Sequence, residues 1–251
     1  MPTAEGELRR RTGASERSPS PRPGVRVGAL IFDLDGVLID TEATLYSVWM
    51  QVFSEFGCSF TRAEWHALLG TNDGLESPYT WLEQRSSVSL PPRDELRSAI
   101  RAKEQEHVAA LGPMPGVEDW LAEASELGMA IGVASSSPRS WVSARLEQLR
   151  VTDRVHGVVC GGEGHRSKPA PDLYLAACEQ LGVAPGRAVA VEDSRNGMLA
   201  ARAAGLACVV VPNEVTLDMT FDDASYVLGA LSEMRLVEVL DLLGQSERPE
   251  L

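Results

Sequence analysis

The stretch Leu30-Ile31-Phe32-Asp33-Leu34-Asp35-Gly36-Val37-Leu38 decides the reading of this chain. An apolar run suited to a buried strand ends on two acidic residues spaced i, i+2, and alternate residues of a strand share a face. The glycine directly after them lets the chain leave the sheet tightly. Two carboxylates beside a glycine turn at the carboxyl end of a strand make a site for a hard cation and for chemistry on a phosphate. Taken alone, the same residues also fit an acidic turn, because Asp-Gly is a common turn pair.

Working outward, Val27–Phe32 reads as the first strand. Residues from Glu42 to Gly112 read as helical throughout: Trp49, Val52, Phe53 and Phe56 recur at helical spacing, and Glu64 to Leu69, Tyr79–Gln84 and Asp94–Leu111 continue the pattern. A helical block inserted after one strand suggests a separate subdomain, closed by the linker Gly112-Pro113-Met114-Pro115-Gly116. From there helices and strands alternate. Helix Val117–Leu127 precedes strand Ala130–Ala134, and Ser137-Pro138 is read as the cap and first residue of the next helix. Strands Val158–Cys160, Ala188–Val191 and Cys208–Val211 follow, separated by helices Pro171–Leu181 and Asn196–Ala204. An edge strand at Val227–Leu228 and a helix Met234–Leu243 end the pattern. Such alternation means an α/β fold, a three-layer doubly wound parallel sheet with an inserted all-helical subdomain. The expected division is a tail over 1–26, a core over 27–41 and 113–244, the helical block over 42–112, and a tail over 245–251.

In open parallel sheets ligands bind beyond the carboxyl ends of the strands, so the other strand ends test the first. The strand ending at Ala134 delivers Ser135, Ser136 and Ser137, more hydroxyls than one helix cap needs and suited to an anion. Beyond Cys160 comes Lys168-Pro169-Ala170-Pro171-Asp172, whose Lys168 is one of two lysines in a chain that otherwise relies on arginine. A lysine offers a compact point charge for phosphate or carboxylate. The strand Ala188–Val191 ends on Glu192-Asp193-Ser194, a second acidic pair. Carboxylates packed together repel and raise one another's pKa unless a cation sits among them, and Mg²⁺ suits an all-oxygen site completed by substrate phosphate.

Composition narrows the function further. The 251 residues are 44% hydrophobic with a formal net charge of −13, which fits a real core and argues against a nucleic-acid surface. No apolar stretch is long enough for a membrane span. Cys58, Cys160, Cys178 and Cys208 form neither a CxxC pair nor a zinc pattern and read as reduced, in keeping with a cytoplasmic protein. Residues 1–26, rich in Arg, Ser, Pro and Gly, read as a disordered tail. The expected partner is a small phosphorylated metabolite, with no nucleic acid and no membrane, and a monomer is compatible with the sequence.

Four pieces, Phe32-Asp33-Leu34-Asp35-Gly36-Val37, Ala134-Ser135-Ser136-Ser137, Lys168-Pro169-Ala170-Pro171-Asp172 and Val191-Glu192-Asp193-Ser194, together resemble the haloacid dehalogenase superfamily. The resemblance lies in the phosphatase and β-phosphoglucomutase branch, which carries a helical cap. It implies that Asp33 is a nucleophile that becomes an aspartyl phosphate and that Asp35 is a general acid and base. Ser135 and Lys168 would hold the transferring oxygens. Mg²⁺ would sit on Asp33, the backbone carbonyl of Asp35 and Asp193, with Glu192 as a ligand or its support. Expected substrate contacts are Ser136, Ser137, Arg139 and, from the loop Gly70–Pro78, Thr71 and Asn72.

The chain departs from some relatives of this superfamily. Asp35 stands where dehalogenases carry tyrosine, which favours phosphoryl transfer. Lys103, in a charged helical run, is read as a solvated residue rather than the Schiff-base lysine of phosphonatases. Leu45 and Asp73 stand where β-phosphoglucomutases carry a histidine and a phosphate-gripping arginine. The expectation is therefore a Mg²⁺-dependent phosphatase acting on a sugar or polyol phosphate. A β-phosphoglucomutase-like mutase is the alternative, and a non-catalytic binding module the third reading.

Overall fold

The computed structural model describes residues 27–69 and 77–246. The expected tail over 1–26 and the loop residues Thr71, Asn72 and Asp73 lie outside the described residues.

Ala29–Phe32 (β1) has every side chain buried, as in a strand covered on both faces. After it come Thr41–Glu55 (α1), Arg62–Leu68 (α2), Pro78–Arg85 (α3), Arg93–Ala109 (α4) and Val117–Glu126 (α5). The chain continues through Ala130–Pro138 (β2), Arg139–Leu149 (α6), Gly157–Gly161 (β3), Asp172–Leu181 (α7) and Ala188–Glu192 (β4). Arg195–Ala203 (α8), Ala207–Val210 (β5), Tyr226–Val227 (β6) and Leu236–Ser246 (α9) complete it. The strands form one six-stranded parallel sheet in the order β3-β2-β1-β4-β5-β6.

Side-chain alternation along β1 builds the two outer layers. Leu30 and Phe32 join Trp120 and Leu121 of α5, Val142 and Leu146 of α6, and Val239 of α9. Ala29 and Ile31 join Leu173, Tyr174 and Leu181 of α7 and Met198 and Ala201 of α8. Helices α1 to α4 close around a third cluster of Trp49, Phe53, Phe60, Trp65, Leu82 and Ile100. In it Phe53 stacks on Phe60 and Trp49 meets Tyr79 edge-on, both at 4.8 Å between centroids. Val215, from the segment after β5, also packs into this cluster. Further ties hold the helical block to the sheet: Asn196 Nδ2 donates to the Leu69 carbonyl at 2.9 Å, and Gln148 Nε2 donates to the Val108 and Leu111 carbonyls.

The serine-rich segment differs from the expectation for it. Ser135, Ser136 and Ser137 continue β2, which pairs with β3 through a register shift between Ser135 and Pro138. Pro138 therefore occupies the cap position of α6 with no side-chain cap, and the helix begins at Arg139. Ser137 does not cap because its hydroxyl is used elsewhere: it donates to Asp35 Oδ2 at 2.7 Å. The last helix, α9, runs on to Ser246, beyond the expected end at Leu243. No helix among the described residues is long and apolar enough to cross a membrane.

Candidate active site

The sheet order puts β1 between β2 and β4, so the carboxyl ends of all three strands open on one place. Asp33 follows β1, with its N–H bonded to the Val191 carbonyl at 2.9 Å. Ser135 lies in β2, and Asp193 follows β4. Lys168 arrives from the segment between β3 and α7. A cavity of about 480 Å³ has Asp33, Asp35, Ser135, Ser136, Ser137, Lys168 and Asp193 in its floor and walls. Residues of α1, α2 and α4 lie over it: Glu42, Leu45, Leu68, Arg101 and Glu104.

Lys168 is fully buried at 1% exposure and bridges two acids. Its Nζ lies 2.7 Å from Asp33 Oδ1 and 2.6 Å from Glu192 Oε1. Burial alone would lower its pKa, but Asp33 and Glu192 overcome that and hold the ammonium above its ordinary range. Glu192 is further occupied: it accepts from the Tyr174 hydroxyl at 2.5 Å and from Ser194 Oγ at 3.3 Å. Gly197, at the start of α8, packs so closely on this carboxylate that any side chain there would strike it. Glu192 thus faces Lys168 rather than the cavity.

Asp35 is held by three donors. Thr41 Oγ1 and Trp141 Nε1 donate to its Oδ1 at 2.6 and 2.8 Å, and Ser137 Oγ donates to its Oδ2 at 2.7 Å. Asp193 is 2% exposed, and its Oδ2 accepts from Asn213 Nδ2 at 2.7 Å. Asn213 is in turn fixed by the Val215 N–H and by Thr216. Gly36, at φ +81°, leaves the sheet where a Cβ would collide with Asp193 and Asn213, so the turn after the first acidic pair needs glycine.

The acids left facing the cavity are electrostatically crowded. Burial pushes the Asp33 carboxyl up to about 7, Lys168 opposing and Glu192 and Asp35 adding to the rise. Burial, then Glu42, Asp33 and Glu192, put Asp193 well above the carboxylate range. Glu42 is raised likewise, by burial and then by Asp35 and Asp33. Ligand oxygens of Asp33, Glu192 and Asp193 lie within 4.8 Å of one another. Hard carboxylate oxygens whose mutual repulsion a cation would relieve fit Mg²⁺.

The structure does not bring every expected contact here. Arg139 is not among the cavity residues: its guanidinium pairs with Glu163 and donates to the Val158 carbonyl at 2.9 Å. Lys103, read from the sequence as solvated, does lie on the outside, bonded to Glu55 at 2.6 Å. Sequence reasoning misses Trp141, Glu42, Asn213, Tyr174, Arg101 and Glu104, all of which line the cavity or support its residues. Asn213 lies just past β5, so the strand-end rule could have found it. Glu42 lies in the first turn of α1, soon after the first acidic motif. Trp141 and Tyr174 carry no signal in the sequence beyond being aromatic.

A model of haloacid dehalogenase-like hydrolases matches residues 30–211. The chain belongs to this family. YhcW of Bacillus subtilis is 38% identical over 217 residues, covering 86% of this chain and 98% of that protein. Hexitol phosphatase B of Escherichia coli K12 is 32% identical over 215 residues, covering 84% and 96%. CbbY from Rhodobacter sphaeroides, solved in complex with phosphate, matches with a TM-score of 0.68 and 30% identity over 86% of this chain and 99% of that one. The chain is accordingly an enzyme of the phosphatase and β-phosphoglucomutase branch.

Proposed function

We propose that this chain is a Mg²⁺-dependent phosphatase that hydrolyses a small phosphorylated metabolite, a sugar or polyol phosphate, through a phosphorylated Asp33. The observation that carries this reading is the convergence of Asp33, Asp35, Ser135, Lys168 and Asp193 on one cavity at the ends of adjacent strands.

The cation would be held by Asp33, Asp193 and the backbone carbonyl of Asp35, and when bound it supplies positive charge against the phosphate oxygens. Asn213 and Gly36 keep Asp193 in place for that task. Asp33 attacks phosphorus, and Lys168, bonded to the same carboxyl, orients it. The Ser135 hydroxyl and Lys168 receive the transferring oxygens, and Ser136 lines the same wall. Asp35 gives a proton to the leaving oxygen and then takes one from the water that releases phosphate. The donors Thr41, Ser137 and Trp141 fix the orientation of that carboxyl. Glu192 acts through Lys168, which it holds from the side away from the cavity. The helical block over 42–112 serves as a cap that covers the substrate and excludes bulk water. Thr71 and Asn72 are assigned to substrate contact on the sequence reading alone.

Leu45 favours hydrolysis over the mutase alternative. It presents an apolar side chain to the cavity where a mutase of this branch would carry histidine. Both readings are tested by incubating the purified chain with a panel of phosphorylated metabolites, with and without Mg²⁺. The phosphatase reading expects Mg²⁺-dependent release of inorganic phosphate. An isomerised sugar phosphate without free phosphate would establish the mutase instead.

A further inference from the structure

Trp141 and Arg145 lie one turn apart on the same face of α6. The Arg145 guanidinium stands over the Trp141 ring, 4.7 Å from its centroid. Two of its nitrogens, Nε and Nη1, are buried and meet no hydrogen-bond acceptor. Buried donors without partners destabilise a fold, so stability does not account for an arginine here. What the guanidinium does have is the indole face, whose electron density attracts a cation. The same face of α6 is tethered farther along, where Gln148 Nε2 donates to the Val108 and Leu111 carbonyls at 2.8 and 2.9 Å.

The ring under the guanidinium is the one whose Nε1 donates to Asp35 Oδ1 at 2.8 Å. The other two partners of that carboxyl, Thr41 and Ser137, are hydroxyls, which can turn round and accept. An indole N–H can only donate. It therefore keeps Oδ1 an acceptor. Thr41 Oγ1 occupies the second site on the same oxygen, and the proton that Asp35 delivers is left to Oδ2. Oδ2 is the oxygen bonded to Ser137, a residue of the cavity wall. The cation also draws electron density from the ring, which strengthens its N–H as a donor.

We propose that Arg145 is a positioning residue for proton transfer: by clamping Trp141 it keeps the Asp35 proton on Oδ2, the oxygen that serves the leaving group. This rests on the phosphatase reading and deepens it. In the step concerned an Asp33 oxygen bonds to phosphorus, the P–O ester bond breaks, and the electron pair of the departing oxygen takes the Oδ2 proton. Such help matters when the departing oxygen is strongly basic and little when it leaves readily as an anion.

The test compares kcat/KM for phenyl phosphate and p-nitrophenyl phosphate at saturating Mg²⁺. The two esters are close in shape and differ greatly in the basicity of the leaving oxygen. Arg145→Met keeps an unbranched stem and removes the cation. It should lower kcat/KM for phenyl phosphate by about tenfold and for p-nitrophenyl phosphate by about twofold or less. In a Trp141→Phe background, which lacks the N–H, the same substitution should add less than about twofold to the loss on phenyl phosphate. Thermal denaturation accompanies the assay, and Arg145→Leu takes the place of a methionine variant that does not fold, with the same pattern expected. Equal losses on the two esters, no loss on either, or a full further loss in the Trp141→Phe background would overturn the proposal. Turnover of p-nitrophenyl phosphate by the wild-type chain would leave the phosphatase reading standing in each of those cases. Absence of phosphate release from both esters would instead defeat that reading, and this inference with it.

Discussion

Lys168 Nζ stands 2.7 Å from Asp33 Oδ1, and both side chains are buried. The same ammonium reaches Glu192 on its other side, so one buried cation is shared by two buried acids. Removing one partner of a buried ionic group leaves uncompensated charge, at about 3–5 kcal/mol. Lys168→Met should therefore destabilise the fold by about 3 kcal/mol near neutral pH. The loss should shrink in mildly acidic solution, where Asp33 takes up a proton instead. Urea unfolding at the two pH values measures both. Equal destabilisation at each pH would contradict the pairing.

The carboxyls facing the cavity give the metal-free protein a definite response to pH. Asp33 is raised to about 7, and Asp193 and Glu42 are raised well above their ordinary values. Between the unfolded carboxyl range and these raised values, the native chain binds more protons than the unfolded chain. Their contribution to stability is thus full in acid and is lost as pH rises through the folded pKa values. A metal ligand must be deprotonated, so Mg²⁺ binding should release protons and tighten as pH rises through about 7. Calorimetric titrations in two buffers of different ionisation enthalpy report the protons directly. Affinity independent of pH, with no proton release, would contradict the assignment.

Asn213 is the side chain that fixes Asp193 Oδ2. Asn213→Ala should weaken Mg²⁺ by about 10- to 100-fold, the usual effect of removing a partner that orients a metal ligand. The Mg²⁺ dependence of turnover should show the shift while activity at saturating Mg²⁺ recovers substantially. The same residue sits in the segment that sends Val215 into the cluster of the helical block, so thermal denaturation should accompany the assay.

Trp141 donates to the Asp35 oxygen that also receives Thr41. Trp141→Phe keeps most of the ring volume and removes the N–H. It should lower kcat by about tenfold through a poorly oriented acid, with a smaller effect on KM. A change confined to KM would show that Trp141 only lines the cavity.

Much of this site is legible in the sequence because strand ends are legible. Asp33, Ser135 and Asp193 each end or follow an apolar run, and parallel strands bring such ends together regardless of their separation in sequence. Lys168 stands out through its rarity and through the prolines after it. The serines show where local reading fails: Ser137 before proline looks like a helix cap, but a tertiary bond to Asp35 takes its hydroxyl and the strand runs on. Arg139, just past the serines, reads as a substrate contact, yet Glu163 pairs with it, and that partner depends on how the segment after β3 folds back. Arg101 and Glu104 of the helical block and Trp141 of α6 reach the cavity through the packing of their helices and leave no local pattern. Their roles depend on the angle at which α4 and α6 meet the sheet.

That Asp33 carries the phosphoryl group is the claim on which the rest of the mechanism turns. Rapid acid quench during turnover of a radiolabelled phosphomonoester, followed by peptide mapping, tests it most directly. Asp35→Asn serves as the variant in which water attack is slowed. The label should appear on the peptide containing Asp33, accumulate in Asp35→Asn and vanish in Asp33→Asn, with turnover of that last variant falling by roughly 10⁴-fold or more. Label on Ser135, or unlabelled protein with Asp33→Asn still turning over, would contradict the account.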